Sequence, residues 1–402
     1  MPLLNNDKIY GKFIDGVAVI YKKRENGFQK GLLFEDGTEK YFPKCDFDNF
    51  SCGLAVFWSW EKTETERMSY INRKGELLFE PKNIAASEFS EDRAFIYDID
   101  KNITVLINTT GNVVKEFDEI YDTGLFSDGV ASVRLFEDKR EAMAEIVKEG
   151  HIISKIHEAF PRHTIKVGYV NRNGEFVVPL GYEYAPRDEM DAFNIDSDCY
   201  EGMILVRSGD KFGFITKENI LAVPCVYDFG YHFHNGMAAV EINKKIGFID
   251  KHNNIILPFE YESFGWSKDG IIGLKKNNVY GFLDEQRNEM LPFEYEEVNC
   301  FSEGIAAVKK NGKWGAIDRR GNIILPFEFN YLTGFHDGLI EFRRNDKLGL
   351  MNREGKVIIP EGYLQIDYFE EGICKLWQRT SKSDADIVAL ADREGNLLRL
   401  DL

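Results

Sequence analysis

The chain has 402 residues, 44% of them apolar, with 31 Phe, 18 Tyr and a formal charge of -17. That is ample material for a large core, and the charge excludes nucleic acid or an anionic membrane surface as the main partner, because both need a basic face. No basic segment followed by an apolar run opens the sequence, no apolar run approaches the roughly 20 residues of a membrane span, and the six Cys show no CxxC or Cys/His spacing; isolated core thiols and a reducing, cytoplasmic setting are the expectation.

Self-similarity governs the rest. The stretch NGKWGAIDRRGNIILPFEF, Asn311 to Phe329, returns every 34 positions. Trp314-Gly315 corresponds to Phe212-Gly213, Ile246-Gly247, Tyr280-Gly281 and Leu348-Gly349, and Pro326 to Pro224, Pro258, Pro292 and Pro360. A further glycine opens each unit, at Gly202, Gly236, Gly270, Gly304, Gly338 and Gly372.

Taken in order, residues 1–136 hold degenerate repeats. The residues before Gly16 would cap the array, as repeat arrays need at their ends. Units then begin at Gly16, at Gly53 and at Arg93, which replaces the opening glycine. The fourth unit starts at Gly129 and is interrupted. Gly304 to Gly315 is 11 positions, whereas Gly129 to Gly168 is 39. The excess, residues 137–166, carries Ala142, Ile146, Ile153, Ile156 and Phe160 at helical spacing, which predicts a helical insert. Residues 167–201 finish this unit and include an acidic loop with Arg187, Asp188 and Asp191. Residues 202–371 hold five regular repeats, and 372–402 a C-terminal repeat or cap.

Within the unit that starts at Gly304, Ile305–Val308, Lys313–Ile317 and Asn322–Leu325 read as three short strands. Asp318-Arg319-Arg320-Gly321 is a turn in which the Asp accepts turn amides and Gly takes positive φ. Gly315 falls inside a strand, which marks a bulge or a close backbone approach, and Pro326 ends a strand or sits at an edge. A period of 34 also suits helical tetratricopeptide units. Here, however, apolar runs are four to six residues long, rich in Ile, Val and aromatics and punctuated by Gly, Asp and Asn, which is β-meander punctuation. The predicted fold is all-β: about ten three-stranded meanders in an open superhelical, solenoid-like stack, with propeller-like closure as the alternative. The open stack is favoured because 34 residues are few for four strands and ten exceeds the usual blade number. Trp314, Gly315, Phe212, Tyr280, Phe301 and Phe335 are the expected repeat core, packed between neighbours.

The KWG step, followed by [Ile/Phe]-Asp-x-x-Gly, an apolar run and Pro, and then Phe-x-[Glu/Asp]-Gly, resembles the WG (KWG) β-repeat family of mostly bacterial proteins. The resemblance is strong from Gly202 to about Gly372 and traceable from Gly16. Only Trp314-Gly315 is a literal WG. The family implies no catalytic residues.

Candidate chemistry is sparse. His232 and His234 share one side of a possible strand, but ligation needs three or four converging groups. His151, His157 and His163 are six apart, so they point in different directions on a helix. Glu260, Glu294 and Glu328 recur in Pro-Phe-Glu-[Tyr/Phe], as solvated or turn-bonded residues do and catalytic ones do not. Asp250, Asp284 and Asp318 lack calcium-loop spacing. Lys211, Lys245, Lys313 and Lys347 form a solvated stripe. No catalytic motif, cofactor site or metal site is expected. The function expected is a non-catalytic scaffold for another protein, with no nucleic acid and no membrane partner. Its partner site would lie in what is not repeated: Ile146, Ile153, Ile156 and Phe160 of the insert, and Arg187, Asp188 and Asp191 of the loop. A packed lid is the alternative for the insert. A glycan- or small-ligand-binding module, or a hydrolase using aromatics and carboxylates in a groove, is the alternative for the protein.

Overall fold

The repeat folds as an antiparallel meander whose geometry follows from its punctuation. In the computed structural model, Glu297–Val298, Ile305–Lys310, Lys313–Asp318 and Ile323–Phe329 form one sheet in chain order. Four strands fit into 34 residues because the first is only two residues long and the second and third are joined by the tight Asn311-Gly312 turn. The three strands expected are therefore present with a fourth beside them. The second and third strands are buried on both faces, while Ile323–Phe329 alternates exposed and buried, as an edge strand does. Pro326 lies within that edge strand, where its missing donor faces no partner.

The structure describes residues 8–24, 27–60, 67–118, 120, 122–136, 165–183, 199–266, 270–284, 286–344, 347–370, 372–379 and 385–399. These hold nine sheets, one of which has seven strands and joins two meanders through the single pairing Glu183↔Arg207. Ten meanders result, all antiparallel, and no helix occurs among the described residues. The helical insert expected over 137–166 lies outside them, except that Ile165 and Lys166 belong to the strand Ile165–Asn171. None of the described helices is long and apolar enough to cross a membrane, there being none.

Turn and bulge chemistry repeat faithfully. Asp318 Oδ1 accepts the amides of Arg320 and Asn322, both at 2.8 Å, and Asp318 Oδ2 accepts Asn322 Nδ2 at 2.8 Å. Asn171, Asp250 and Asp392 each accept the corresponding two amides of their turns through Oδ1. At Gly315 the register of the third strand against the fourth shifts, and an added Cβ would stand 2.9 Å from the Leu325 carbonyl oxygen and 2.9 Å from Phe327 Cγ. The glycine is there because the bulged edge strand lies on top of it.

Neighbouring repeats share their cores. Trp314 is buried and meets Tyr331 of the next repeat edge-on at 5.6 Å; Phe212 meets Phe229 at 4.9 Å. The phenylalanine of the opening loop caps the third strand of the preceding repeat in Phe233 on Phe214, Phe301 on Phe282 and Phe89 on Tyr70, while Phe126 stacks on Phe95 of the second strand. Phe335 is buried in the cluster that also holds Ala307, Trp314 and Phe342, and Tyr280 is half-buried against the Phe282 cluster. The acid before the opening position adds a polar link; in the third unit that position is held by Asp92, at positive φ, and not by Arg93 as expected. Glu91 accepts the amide of Gly129, Asp128 that of Gly202, Glu201 that of Gly236 and Glu303 that of Gly338, at about 3 Å each.

The chain divides into two compact units, one of Met1–Phe42 with Glu260–Leu402 and the other of Pro43–Phe259. Inside the first unit the chain ends meet. The strand Lys8–Tyr10 reaches the last sheet, where Ile9, Ile373, Leu390 and Leu398 share a core. A Cβ on Gly372 would lie 2.9 Å from the Lys12 amide nitrogen. The residues before Gly16 therefore join the last repeat instead of capping an open end. This contact within the first unit is one that the propeller-like alternative requires.

Candidate functional site

Two places break the repeat. The first is an end of the seven-stranded sheet in the second unit. Val130–Phe136 and Ile165–Asn171 pair up to Phe136↔Ile165, so residues 137–164 leave and return at one hairpin tip. The following strand, Phe176–Glu183, runs antiparallel and ends level with that tip, at Lys166↔Glu183. Residues 184–198 depart there. Both non-repeated segments thus spring from the same end of one sheet. Ile146, Ile153, Ile156, Phe160, Arg187, Asp188 and Asp191 all lie outside the described residues, as do His151, His157 and His163.

The second place is a cavity of about 480 Å³ in the first unit, between the sheet of residues 331–363 and that of residues 365–399. Its wall includes Thr333, Phe335, His336, Glu341, Asp367 and Tyr368. Glu341 breaks the pattern. Its register partners in three earlier repeats are Ala239, Gly273 and Ala307, all buried. Leu339 and Glu341 point to one face of the strand Leu339–Arg344, and Leu339 packs on the core of the following repeat. Burial raises the Glu341 carboxyl above the usual glutamate range, against a smaller opposing effect of Arg343. Its amide donates to Thr333 Oγ1 at 3.0 Å, and among the described residues its carboxyl makes no hydrogen bond. Asp367 Oδ1 accepts Gln365 Nε2 at 2.8 Å. Asp337 is paired with Arg393 at 2.5 Å. Tyr368 is 77% exposed and stands 5.3 Å from the His336 ring.

The other candidates are structural in place and partners. Glu260, Glu294 and Glu328 pair with Lys276, Lys310 and Arg344 of the next repeat at 2.8, 2.9 and 3.2 Å. They form a solvated ladder in which each pair is worth about 0–1 kcal/mol. The His232 ring lies 4.5 Å from that of Tyr200. Among the described residues no three His, Cys, Asp or Glu stand close enough to hold a metal ion. All six cysteines are free. Burial pushes the Cys199 and Cys374 thiols up to about 12, and raises those of Cys225 and Cys300.

Glu341 was legible in the sequence as an acid where the three preceding repeats carry Ala or Gly. The acid-to-glycine links were legible as Asp or Glu before most opening glycines.

No curated protein matches the chain. Among solved structures it is similar to a crystal structure of the eukaryotic initiation factor, with a TM-score of 0.50, 12% identity and coverage of 86% of this chain and 95% of that one. It is also similar to BamB from Moraxella catarrhalis, with a TM-score of 0.37, 9% identity and coverage of 73% and 91%. A third is lmo1340 from Listeria monocytogenes EGD-e, with a TM-score of 0.33, 10% identity and coverage of 88% and 94%. At such identities only the fold is compared. The model of the WG containing repeat matches residues 168–189, 212–245, 246–280, 280–314 and 314–347. Over those five stretches the chain matches the WG containing repeat.

Proposed function

We propose that the protein is a non-catalytic scaffold that binds another protein in the cytoplasm, through the end of the sheet from which residues 137–164 and 184–198 depart. One observation carries this reading: the two segments that interrupt the repeat emerge side by side, at Phe136, Ile165 and Glu183. Function in repeat folds concentrates in per-repeat insertions on one face, because the repeated part is committed to packing its neighbours. The acidic loop, with Asp188 and Asp191, suits a partner with basic groups, and the six free thiols suit a reducing compartment. The solvated glutamate and lysine ladders recur along several repeats and offer no unique address.

The test is affinity capture from the host lysate with three baits: the full chain, a chain with residues 137–164 replaced by a short Gly/Ser linker, and one with 184–198 so replaced. Circular dichroism and melting establish that each bait is folded. The reading requires a protein retained by the full chain and lost from both variants. Retention of the same protein by both variants, or capture of none, defeats it.

A further inference from the structure

We propose that the cavity beside Glu341 binds a small organic cation, a primary ammonium or guanidinium on an apolar body. Glu341 and Asp367 are its counter-charges and the Tyr368 ring its outer wall. This goes beyond the scaffold reading and concerns the other unit of the chain.

The argument begins with what the repeat would place there. A residue at the Glu341 position faces the next sheet, and in the preceding repeat that place is filled by Ala307, fully buried in a core with Phe335 and Phe342. Extending a seam of this kind with a carboxylate costs desolvation and adds no packing partner. The side chain is nonetheless present, and it borders empty space instead of a filled core. The volume, about 480 Å³, is that of a small-molecule site.

The lining then fixes the charge. Among the described residues three carboxylates border the cavity, and no Lys or Arg does. Asp337 is committed to Arg393, and one oxygen of Asp367 to Gln365. Glu341 and the second oxygen of Asp367 remain to receive donors. His336 is the one other titratable cation-former on the wall. A ligand anion would face the carboxylates of Glu341 and Asp367 with no Lys or Arg among the described lining residues to oppose them. A bare metal ion is disfavoured by the spacing, since no three ligating groups among the described residues come together. The rest of the wall is apolar, with Phe335, Leu339, Leu350, Ile366 and Phe369, which suits the hydrocarbon part of the ligand. Tyr368 supplies an aromatic face at the mouth, and aromatic faces attract ammonium and guanidinium groups.

The probes are phenethylammonium and agmatine, with the neutral analogue 2-phenylethanol and a malto-oligosaccharide as the contrasting arms. Binding to the full chain is read by calorimetry and by ligand-observed NMR at millimolar concentration. At least one cation is expected to bind about tenfold tighter than 2-phenylethanol. Glu341→Gln should weaken it about tenfold, while the variant without ligand melts no lower than the parent. Tyr368→Ala should weaken it several-fold. Glu328→Gln, outside the cavity, should leave it unchanged. Equal binding of the neutral analogue, binding of the oligosaccharide alone, full affinity in Glu341→Gln, or no binding of either cation each overturns the proposal.

Discussion

Replacing Gly315 by Ala adds one methyl group where the edge strand crosses the third strand. The new Cβ would stand 2.9 Å from the Leu325 carbonyl oxygen, 2.9 Å from Phe327 Cγ and 3.0 Å from Phe327 Cδ1. Ordinary contact needs about 3.5 Å or more, so something must move by roughly half an ångström. Leu325 is paired with Ala316 across the bulge, and its carbonyl cannot retreat without breaking the register. Phe327 can swing only by leaving the cluster that holds Ile317 and Phe301. Overpacking of this kind costs about 1–3 kcal/mol. Ala regains up to about 1 kcal/mol over Gly from backbone entropy in a strand. The net loss expected is about 1–2 kcal/mol, a drop of a few degrees in melting temperature for a unit of this size. Urea unfolding and thermal melts, followed by Trp fluorescence, measure it. The same direction is expected at Gly213, whose Cβ would meet the Val223 carbonyl at 2.5 Å. A Gly315→Ala protein as stable as the parent, or more so, would refute the claim that the conserved-in-register glycine is a steric requirement of the bulge.

Further outcomes follow from the same packing. Trp314→Ala empties a buried site between two repeats and should cost about 3–5 kcal/mol; a melt within a degree or two of the parent sinks the assignment. Ile9→Ala should cost about 2–5 kcal/mol although it lies near the chain start, because Ile9 is 1% exposed in the core of the last repeat; an unchanged melt would mean that the ends do not meet. Glu341 has a raised pKa in the folded protein, so its favourable contribution is full below the unfolded value near ~4.3 and is lost as pH rises through the folded value. Glu341→Gln should therefore out-melt the parent at neutral pH and match it near pH ~4, and the reverse order contradicts the burial account. Cys52, exposed, should alkylate in the native protein long before Cys199 and Cys374; mass spectrometry that finds the buried pair modified first counts against the core.

Much of this architecture is legible in the residues. The Asp-x-x-Gly turn and the glycine under the bulge have local causes, so a single repeat suffices to read them, and the 34-residue period needs only the comparison of neighbouring units. The strand of two residues, Glu297–Val298, was not legible, because two residues carry no periodicity; its pairing with Lys309 and Val308 is what makes four strands of three. The meeting of Ile9 with Leu390 was not legible either. It depends on how the first strand packs on the last sheet, which no local pattern records. The cavity escaped for a related reason. Glu341 departs from Ala307 and Gly273 by one register comparison, but the space beside it depends on the packing of the following repeat. The partner-site residues of 137–164 and 184–198 keep only their attachment points, Phe136, Ile165 and Glu183, in the described structure.

The most direct test of the central claim is hydrogen exchange, read by mass spectrometry, on the full chain with and without a partner recovered by capture. Protection is expected in peptides covering Arg134–Phe136, Ile165–Val167, Tyr182–Glu183 and the segments they carry, with the turns at Asp250 and Asp318 unchanged. Protection centred on the Asp-x-x-Gly turns, with none at Phe136, Ile165 and Glu183, would contradict the account.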